Sequence, residues 1–377
     1  KKAKIKILIL LISILIIGSY FFINSLIGNQ KFSNFTSFLN VEQKELIKKY
    51  IFPHKTEKAY LKKELNFIKS GKRFNTEKSV VQLSNKKFLE KYKLNSGFYL
   101  GIHQEKPGSG YIDFYEGNII VLSSRGVLAF KKDIENTEKN FRQIKNNINK
   151  FIGINQFKKN RWFSLKDILI FKNKIFISYT EEFEKDCWNT SIIYGDMNYK
   201  KINFERLIFS KECVHSTNNI DKEFNAHQSG GRIIFFDDNH ILLSVGDYRS
   251  RHLAQDIKSL NGKIIKINID NGDYKIISMG HRNPQGLYFD NVNNFILETE
   301  HGPYGGDEIN LIEVDEINNR GKILNYGWAI SSSGEHYGKR EENKKKYEKY
   351  PLYKSHSEHG FIEPLKSFVP SIGISEV

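Results

Sequence analysis

Side chains that bind ligands crowd into one short stretch, "MGHRNPQGLYFD", at residues 279–290. His281, Arg282, Asn283 and Gln285 fall within five residues, before a strand-like apolar run. The guanidinium of Arg282 is a rigid fork of donors that stays charged, which suits oxygens that develop negative charge. The amides add neutral donors beside it. A polar loop that only satisfies its own backbone is the alternative, but it does not account for four such donors together.

Two further positions suit proton transfer. His227, in "NAHQSGGRIIF", stands before a strand, and an imidazole titrates near neutrality, which suits a general base. Asp247 follows "SVG" at a strand end, where a carboxylate can hold the other ring nitrogen of such a histidine. Each has an ordinary alternative when taken alone: a structural histidine, and a turn aspartate.

The segment "HGPYGGDEINLIE" offers oxygen ligands for a metal. Calcium binds hard oxygen donors, including main-chain carbonyls where glycine and proline let the chain turn toward the ion. Glu308 adds a carboxylate, although an acidic surface loop would have the same composition.

Short strand pairs must position these loops. Four segments share a pattern of apolar strand, polar turn and second apolar strand: "FYEGNIIVLSS", "IFKNKIFISY", "FFDDNHILLSV" and "YFDNVNNFILET". Their recurrence at about 55 to 65 residues predicts the blades of an all-β fold, a β-propeller over residues 96–377, with about four to five blades present. Unrelated hairpins are the alternative. Because an open propeller leaves strand edges bare, we expect further sequence beyond Val377.

Two segments precede the propeller. Residues 7–27 carry no charge and follow a lysine-rich start, so residues 1–29 are predicted to be a transmembrane signal anchor whose basic flank stays in the cytoplasm. A cleaved signal peptide is the alternative. Residues 30–95 are predicted to be a short helical spacer, because apolar residues recur at helical spacing between Lys and Glu. The propeller would then be periplasmic or otherwise extracytoplasmic, anchored in the inner membrane, or secreted if the anchor is cleaved.

Composition excludes some classes of protein. The net charge is +15, but no helix concentrates the basic residues and no nucleic-acid-binding motif occurs, so we expect no nucleic-acid partner. A hydrophobic content of 39% excludes wholesale disorder. The two cysteines, Cys187 and Cys213, could form a disulfide in an exported protein, or remain two buried thiols.

Five motifs lie in order between Asn225 and Trp328: "NAHQSGGRIIF", "SVGDYRSRHLAQDIKSLNGKIIKIN", "GHRNPQGLYFD", "TEHGPYGGDEINLIE" and "NYGW". Together they resemble the glucose/sorbosone dehydrogenase family, soluble aldose sugar dehydrogenases that depend on pyrroloquinoline quinone. The resemblance implies a six-bladed β-propeller that carries the quinone and Ca²⁺ on its upper face. It is thin before Asn225 and thinner after Trp328.

The resemblance also implies roles for the polar loops. The family's catalytic base matches His227, and it takes the proton of the sugar's anomeric hydroxyl while hydride leaves for the quinone. Asp247 and Arg282 join it as catalytic residues. Arg282, Asn283 and Gln285 are placed against the quinone.

Two calcium sites follow from the same resemblance. The carbonyls of Gly302 and Pro303 match those that hold the calcium on the quinone, where the ion acts as a Lewis acid. Glu308 and Tyr326 match positions of a second, structural calcium.

The chain departs from the family pattern at two places. An early-blade Gln that meets the substrate has no match in "NRWFSLKDILIF". The late-blade cations that hold the quinone's carboxylates lie beyond or near the end of this sequence.

The leading hypothesis is an exported enzyme that oxidises an aldose at its anomeric carbon to a lactone and passes electrons through the quinone to an external acceptor. A non-catalytic exported propeller that binds a glycan or a protein is the alternative. A calcium-assisted hydrolase would need a ring of repeated carboxylates, which the sequence lacks.

Overall fold

The computed structural model describes residues 73–84, 87–94, 110–132, 140–153, 155–156, 163–208, 212–315 and 323–377, with positions 15, 18 and 19. The chain divides into two compact units, residues 1–72 and residues 73–377, and the sheets belong to the second unit. Among the described residues no helix is long and apolar enough to cross a membrane. Apart from those three positions, the predicted anchor at residues 1–29 lies outside the described residues.

Strands dominate the described chain. The first eleven are β1 (Arg73–Gln82), β2 (Phe88–Leu94), β3 (Gly110–Tyr115), β4 (Asn118–Ser123), β5 (Leu128–Lys131), β6 (Asn140–Gln143), β7 (Lys145–Asn146), β8 (Leu165–Phe171), β9 (Lys174–Glu184), β10 (Cys187–Asp196) and β11 (Lys201–Ile202). The others are β12 (Glu205–Ile208), β13 (Val214–His215), β14 (Gly230–Asp237), β15 (His240–Val245), β16 (Lys263–Asn268), β17 (Tyr274–Met279), β18 (Pro284–Asp290), β19 (Phe295–Glu300), β20 (Asp307–Glu313), β21 (Leu324–Asn325) and β22 (Lys366–Phe368). Helical turns are short: α1 (Lys344–Lys349) and three 3₁₀ turns at Ile148–Lys150, Arg251–Gln255 and Ser357–His359.

Four of the sheets are arranged as propeller blades. Their strand orders are β2-β1-β6-β5-β4-β3, β12-β10-β9-β8, β14-β15-β16-β17-β21 and β18-β19-β20-β22. Strand β8 contacts β3 and β14, and β14 contacts β18, so the first strand of each blade's hairpin lies beside that of the next blade. The four hairpins predicted from the sequence are β3–β4, β8–β9, β14–β15 and β18–β19, which confirms the all-β arrangement. A complete ring of six blades remains a prediction.

Turn chemistry fixes the first two of these hairpins. Their two-residue loops are Glu116-Gly117 and Lys172-Asn173, and all four residues have positive φ, between 49° and 76°. Two-residue loops of this kind match the right-handed twist of the flanking strands.

The cores lie between neighbouring blades, because middle strands are buried on both faces. In β15, Ile241 and Leu243 pack toward the second blade, while Leu242 packs toward the fourth. Strand β9 does the same with Ile177 and Phe176, which belong to different clusters. Side chains alternate along a strand, so one continuous apolar run fills two cores.

The predicted helical spacer is wrong over residues 73–94. These residues form an antiparallel hairpin, β1–β2, in register from Thr76↔Leu94 to Gln82↔Phe88, and β1 also pairs with β6. The helical spacing lies in the sequence at residues 41–51 and 59–71, whereas "TEKSVVQ" and "FLEKYKL" scatter Lys and Glu among strand-forming residues without a regular period. The rest of residues 30–95 lies outside the described residues.

A disulfide joins Cys187 and Cys213, which decides between the alternatives left open by the sequence. Cys187 begins β10, and β13, just after Cys213, pairs with the same end of β10. The bridge therefore fixes the start of β13 against the second blade.

Reduction of this disulfide should lower the free energy of unfolding by about 3 kcal/mol, since it closes a loop with a sequence separation of 26 residues. Urea unfolding with and without a reductant measures the effect. A Cys187→Ser, Cys213→Ser double variant should match the reduced protein and ignore the reductant. Equal midpoints for the oxidised and reduced wild type would contradict the expectation.

Candidate active site

Antiparallel pairing brings the predicted site loops to one end of two neighbouring blades. Gly230, at the start of β14, pairs with Val245 at the end of β15, and Pro284 pairs with Glu300 in the same way. The loops that flank these four residues carry the predicted catalytic and calcium-binding positions, namely His227, Asp247, Arg282 and Gly302. The structure thus places them on one face of the blades.

The guanidinium of Arg282 lies at the centre of this face and is buried, with the residue 6% exposed. Its Nη1 donates to the His301 carbonyl at 2.7 Å, and its Cζ lies 5.4 Å from the Trp328 ring centroid. Burial lowers the pKa of Arg282, and the nearby Asp247 carboxylate opposes that shift. The group is therefore held as a fixed cation in a largely dehydrated setting.

Asp247 is fully buried and accepts hydrogen bonds from more than one loop. Its Oδ2 accepts from Trp328 Nε1 at 2.8 Å, and its Oδ1 accepts from the Arg249 amide at 2.8 Å. With its amide nitrogen turned toward Asp247, Gln228 donates to Oδ1 at 2.9 Å and accepts from Arg282 Nη2 at 2.8 Å. The contact of Asp247 with the His227 ring stays a prediction. The carboxylate positions Trp328 and balances the charge of Arg282.

His227 lies on an exposed loop among cationic groups. The pKa of His227 is lowered to about 4, first by partial burial and then by the charges of Lys166, His301, Arg282 and Arg249. Its imidazole is consequently neutral at physiological pH and can accept a proton. The positive charges around it are the signature of a site for an anion.

Asn283 and Gln285, predicted to bind the cofactor, also brace the loops. Asn283 Oδ1 accepts from the Gly230 amide at 3.2 Å, and Gln285 Oε1 lies 2.9 Å from His301 Nε2. Because the protein already uses the two amide oxygens, contacts to a ligand acceptor would come from the amide nitrogens.

The first predicted calcium position lies in a tight loop. A Cβ at Gly302 would lie 1.6 Å from the Gly306 carbonyl oxygen, so only glycine fits there. The Gly302 amide donates to Asp307 Oδ1 at 3.2 Å, and the Pro303 carbonyl accepts from Gly306 N at a long 3.4 Å. Asp307 thus holds the loop in a shape that presents main-chain oxygens.

The second predicted calcium position is buried. Glu308 Oε1 lies 3.4 Å from Ser333 N and 3.8 Å from His356 Nε2, and burial raises the pKa of Glu308 well above its usual range. The Tyr326 hydroxyl donates to the Leu311 carbonyl at 2.7 Å, and the predicted ion would take an oxygen of this residue.

Comparison with known proteins identifies the family. The family model described as Glucose / Sorbosone dehydrogenase matches residues 165–377, which is more than half of the chain. The chain belongs to the glucose/sorbosone dehydrogenase family. It is 31% identical over 180 residues to the aldose sugar dehydrogenase YliI of Escherichia coli K12, covering 44% of each protein. It is 33% identical over 132 residues to quinoprotein glucose dehydrogenase B of Acinetobacter calcoaceticus, covering 27% of this chain and 26% of that protein.

Solved structures show the same fold. A glucose dehydrogenase crystal structure aligns with a TM-score of 0.53 at 22% identity, over 70% of this chain and 73% of the other. The apo form of the soluble aldose sugar dehydrogenase from Escherichia coli aligns with a TM-score of 0.53 at 21% identity, over 71% and 73%. The chain spans less than half the length of the curated relatives it matches.

This family member has site residues that the sequence did not single out. Gln228, Arg249, His301 and Trp328 each lie inside a quoted motif, but their roles depend on contacts between loops that are distant in sequence. Lys166 lies outside those motifs, and its stem packs where a Cβ on Gly231 would be. Burial lowers the pKa of Lys166 to about 7.

The low pKa of His227 predicts a particular pH dependence. Between its unfolded value near 6.5 and about 4, the unfolded chain binds a proton that the folded chain does not, so stability falls as pH falls through this window. His227→Gln should flatten that part of the profile of unfolding midpoint against pH.

An NMR titration of His227 checks the cause. Lys166→Met should raise the pKa of His227, because it removes a neighbouring positive charge. Lys266→Met is the control, since Lys266 pairs with Asp237 at the β14–β15 turn, away from His227. A measured pKa of about 6 or higher for His227 in the wild type would refute the assigned environment.

Proposed function

We propose that this protein oxidises an aldose at its anomeric carbon to a lactone, using pyrroloquinoline quinone and Ca²⁺, and passes the electrons to an external acceptor. The observation that carries the proposal is a neutral imidazole, His227, set among four positively charged or protonatable groups on the face that also presents Arg282. Membership of the glucose/sorbosone dehydrogenase family supports the assignment of this arrangement to sugar oxidation.

The residues present fit an anionic quinone. Pyrroloquinoline quinone bears carboxylates, and the site offers the cations of Arg249 and Arg282 together with the protonatable Lys166. Amide donors on Asn283 and Gln285 lie beside Arg282. When bound, the quinone supplies the acceptor for the hydride that leaves the sugar's anomeric carbon.

The chain's own side chains account for the proton. His227 would take it from the anomeric hydroxyl, and a base works best when its pKa lies near the working pH. The pKa of about 4 is too low for that in the empty site, because neighbouring positive charges disfavour the imidazolium. An anionic ligand among those charges would offset them and raise the pKa of His227 toward neutrality. The pKa of His227 therefore depends on whether an anionic ligand is bound.

Arg282 would serve as a clamp for developing negative charge. Its orientation is fixed by the His301 carbonyl and by the Trp328 ring, so it needs little reorganisation during reaction. Asp247 holds Trp328 in place, which makes it a positioning residue in this proposal.

Calcium would occupy both predicted positions. The carbonyls of Gly302 and Pro303 suit an ion beside the quinone, because glycine at position 302 lets the chain turn tightly against Gly306, where a Cβ would clash. Glu308 and an oxygen of Tyr326 suit the structural ion, since a buried carboxylate is stabilised by a cation.

Two exposed tyrosines flank the site and suit a sugar. Tyr304, next to Pro303, is 69% exposed, and Tyr337 is 52% exposed with its ring centroid 6.2 Å from that of Tyr304. Arg249 lies over the Tyr337 ring at 5.8 Å. Exposed rings with polar tips at a pocket mouth provide apolar contact and hydrogen bonds together, as a pyranose requires.

The full chain, reconstituted with the quinone and Ca²⁺, should oxidise aldoses in an assay with an artificial electron acceptor. His227→Gln should lower turnover by about 10²- to 10⁴-fold, the range for loss of a general base, without loss of quinone binding.

Arg282→Lys should weaken both quinone binding and turnover, because a point charge cannot replace the planar fork. Removal of Ca²⁺ by a chelator should abolish turnover.

Matched controls are a histidine and an arginine away from the site. His240→Gln, at the β14–β15 turn, and Arg340→Lys, on the surface, should behave as wild type. Wild-type turnover in His227→Gln would refute the role of the base. A wild type that neither binds the quinone nor oxidises any aldose would instead favour the non-catalytic propeller that binds a glycan or a protein.

We further propose that the propeller works outside the cytoplasm, in the periplasm or on the extracytoplasmic face, anchored by residues 1–29. The Cys187–Cys213 disulfide supports this, because structural disulfides persist in oxidising compartments. Alkylation of thiols in intact cells should find the pair oxidised, and carbonate washing should leave the protein in the membrane fraction. Reduced cysteines in cells would count against export, and release by carbonate would count against the anchor.

A further inference from the structure

A buried cluster of ionisable side chains lies directly behind the Arg282 loop and is used by none of the steps above. His281, Glu298 and Glu300 each present one ligand atom, and these atoms all lie within 4.8 Å of one another. His281 and Glu298 are 0% exposed, and Glu300 is 3% exposed. Three ligand-type groups thus converge where water has little access.

The sheet register explains why the acids converge. Glu298 and Glu300 are two residues apart on β19, so they project from the same face. Across the ladder they pair with Asn310 and Glu308 on β20. Two carboxylates opposite each other on neighbouring strands repel, and among the described residues the ion-pair partner of Glu298 and Glu300 is His281 rather than a lysine or arginine side chain.

Polar atoms in the cluster lack partners. Glu298 Oε1 and Asn310 Oδ1 are both buried and have no hydrogen-bond partner. The Asn310 side chain nevertheless contacts the cluster through its amide nitrogen. Its Nδ2 lies 2.9 Å from Glu298 Oε2 and 3.4 Å from Glu300 Oε1. A buried acceptor without a partner is unfavourable, so Glu298 Oε1 and Asn310 Oδ1, the first of them in a carboxylate of the cluster, favour a positive charge at this place.

His281 is oriented as metal-ligating histidines are. Its Nε2 lies 2.8 Å from Ser278 Oγ, while its Nδ1 lies 3.4 Å from Glu300 Oε1 and 3.7 Å from Glu298 Oε2. With the proton on Nε2, that nitrogen donates to Ser278 and the Nδ1 lone pair faces the carboxylates. The Tyr326 ring stacks on the imidazole at 5.1 Å between centroids and fixes its plane.

We propose that this cluster binds one divalent transition-metal ion of the Zn²⁺ class, through His281 Nδ1, one oxygen each of Glu298 and Glu300, and the Asn310 amide oxygen after rotation of that amide. Imidazole with carboxylates favours such an ion over Ca²⁺ or Mg²⁺, which prefer all-oxygen sites. Two carboxylates neutralise its charge. Both cysteines are in the disulfide, so thiolates do not compete for the metal.

The ion would support the cofactor loop without taking part in the chemistry. The other oxygen of Glu300, Oε2, accepts from the Arg282 amide and, at 3.3 Å, from the Asn283 amide. Anchoring Oε1 on a metal therefore fixes Oε2, and with it the backbone that carries Arg282. This site differs from the two predicted calcium positions, which use Gly302 and Pro303 for one ion and Glu308 and Tyr326 for the other.

Zinc binding by the full chain tests the proposal, and it requires neither quinone nor sugar. Chelator-treated protein should take up one Zn²⁺ per chain in equilibrium dialysis with elemental analysis, and its unfolding temperature should rise. Co²⁺ should bind in place of Zn²⁺ with visible absorption bands of nitrogen and oxygen ligation. These wild-type measurements hold even if a variant folds poorly.

Glu298→Gln is the diagnostic variant, because it keeps the shape and removes the charge. It should weaken Zn²⁺ binding by more than about 100-fold, beyond what loss of an outer-sphere partner costs. Glu313→Gln, at the exposed end of β20, is the matched control and should bind Zn²⁺ as wild type does. Glu308→Gln should affect stabilisation by Ca²⁺ but leave the Zn²⁺ stoichiometry at one.

A proton shared between Glu298 and Glu300 would produce the same metal-free contacts. In that case the wild type would bind no stoichiometric Zn²⁺, and Glu298→Gln would be as stable as the wild type at neutral pH. Either that result, or equal Zn²⁺ affinity in Glu298→Gln and the wild type, would overturn the metal site. Failure of quinone binding alone would leave it standing.

Discussion

A buried guanidinium must have its charge balanced and its donors satisfied, and on this face of the propeller that group is Arg282. Its partners come from four loops: Gln228 before β14, Asp247 after β15, His301 after β19, and Trp328 after β21. One charge therefore holds together segments that are distant in sequence. The loops must keep the charge of Arg282 balanced and its donors satisfied. Because His227 is next to Gln228 and Gly302 is next to His301, the positions of His227 and Gly302 follow from those contacts.

The blade pattern could be predicted from the sequence because it depends on local rules. Apolar alternation and turn residues set β3–β4, β8–β9, β14–β15 and β18–β19 without reference to distant residues. Hairpin β1–β2 was not predicted, because Lys and Glu interrupt its strands, which lack both a regular two-residue alternation and the continuous apolar run of a buried strand. Its pairing with β6 is a long-range contact that the local pattern does not contain.

The site was predictable as a set of positions but not as a set of contacts. His227, Arg282 and the Gly302 loop were found because the motifs mark them, and they do lie on one face. The contact between Asp247 and Trp328 could not be predicted in this way. Trp328 is 81 residues away in the sequence and reaches Asp247 only because β21 pairs with β17. The role of Lys166 could not be predicted, because a single lysine at the start of a strand is common. Its proximity to the His227 imidazole appears only in the folded structure.

The burial of the middle strands on both faces limits which sequence changes they can accept. In β15, Leu242 belongs to one interblade core, and its neighbours Ile241 and Leu243 belong to another. Inserting or deleting one residue there would exchange the occupants of both cores at once. Blades of this kind look like interchangeable repeats, yet each shares its side chains with two neighbours. A change at Leu242 alters one core and a change at Ile241 or Leu243 alters the other, so the sequence of a middle strand must suit both neighbouring blades at once.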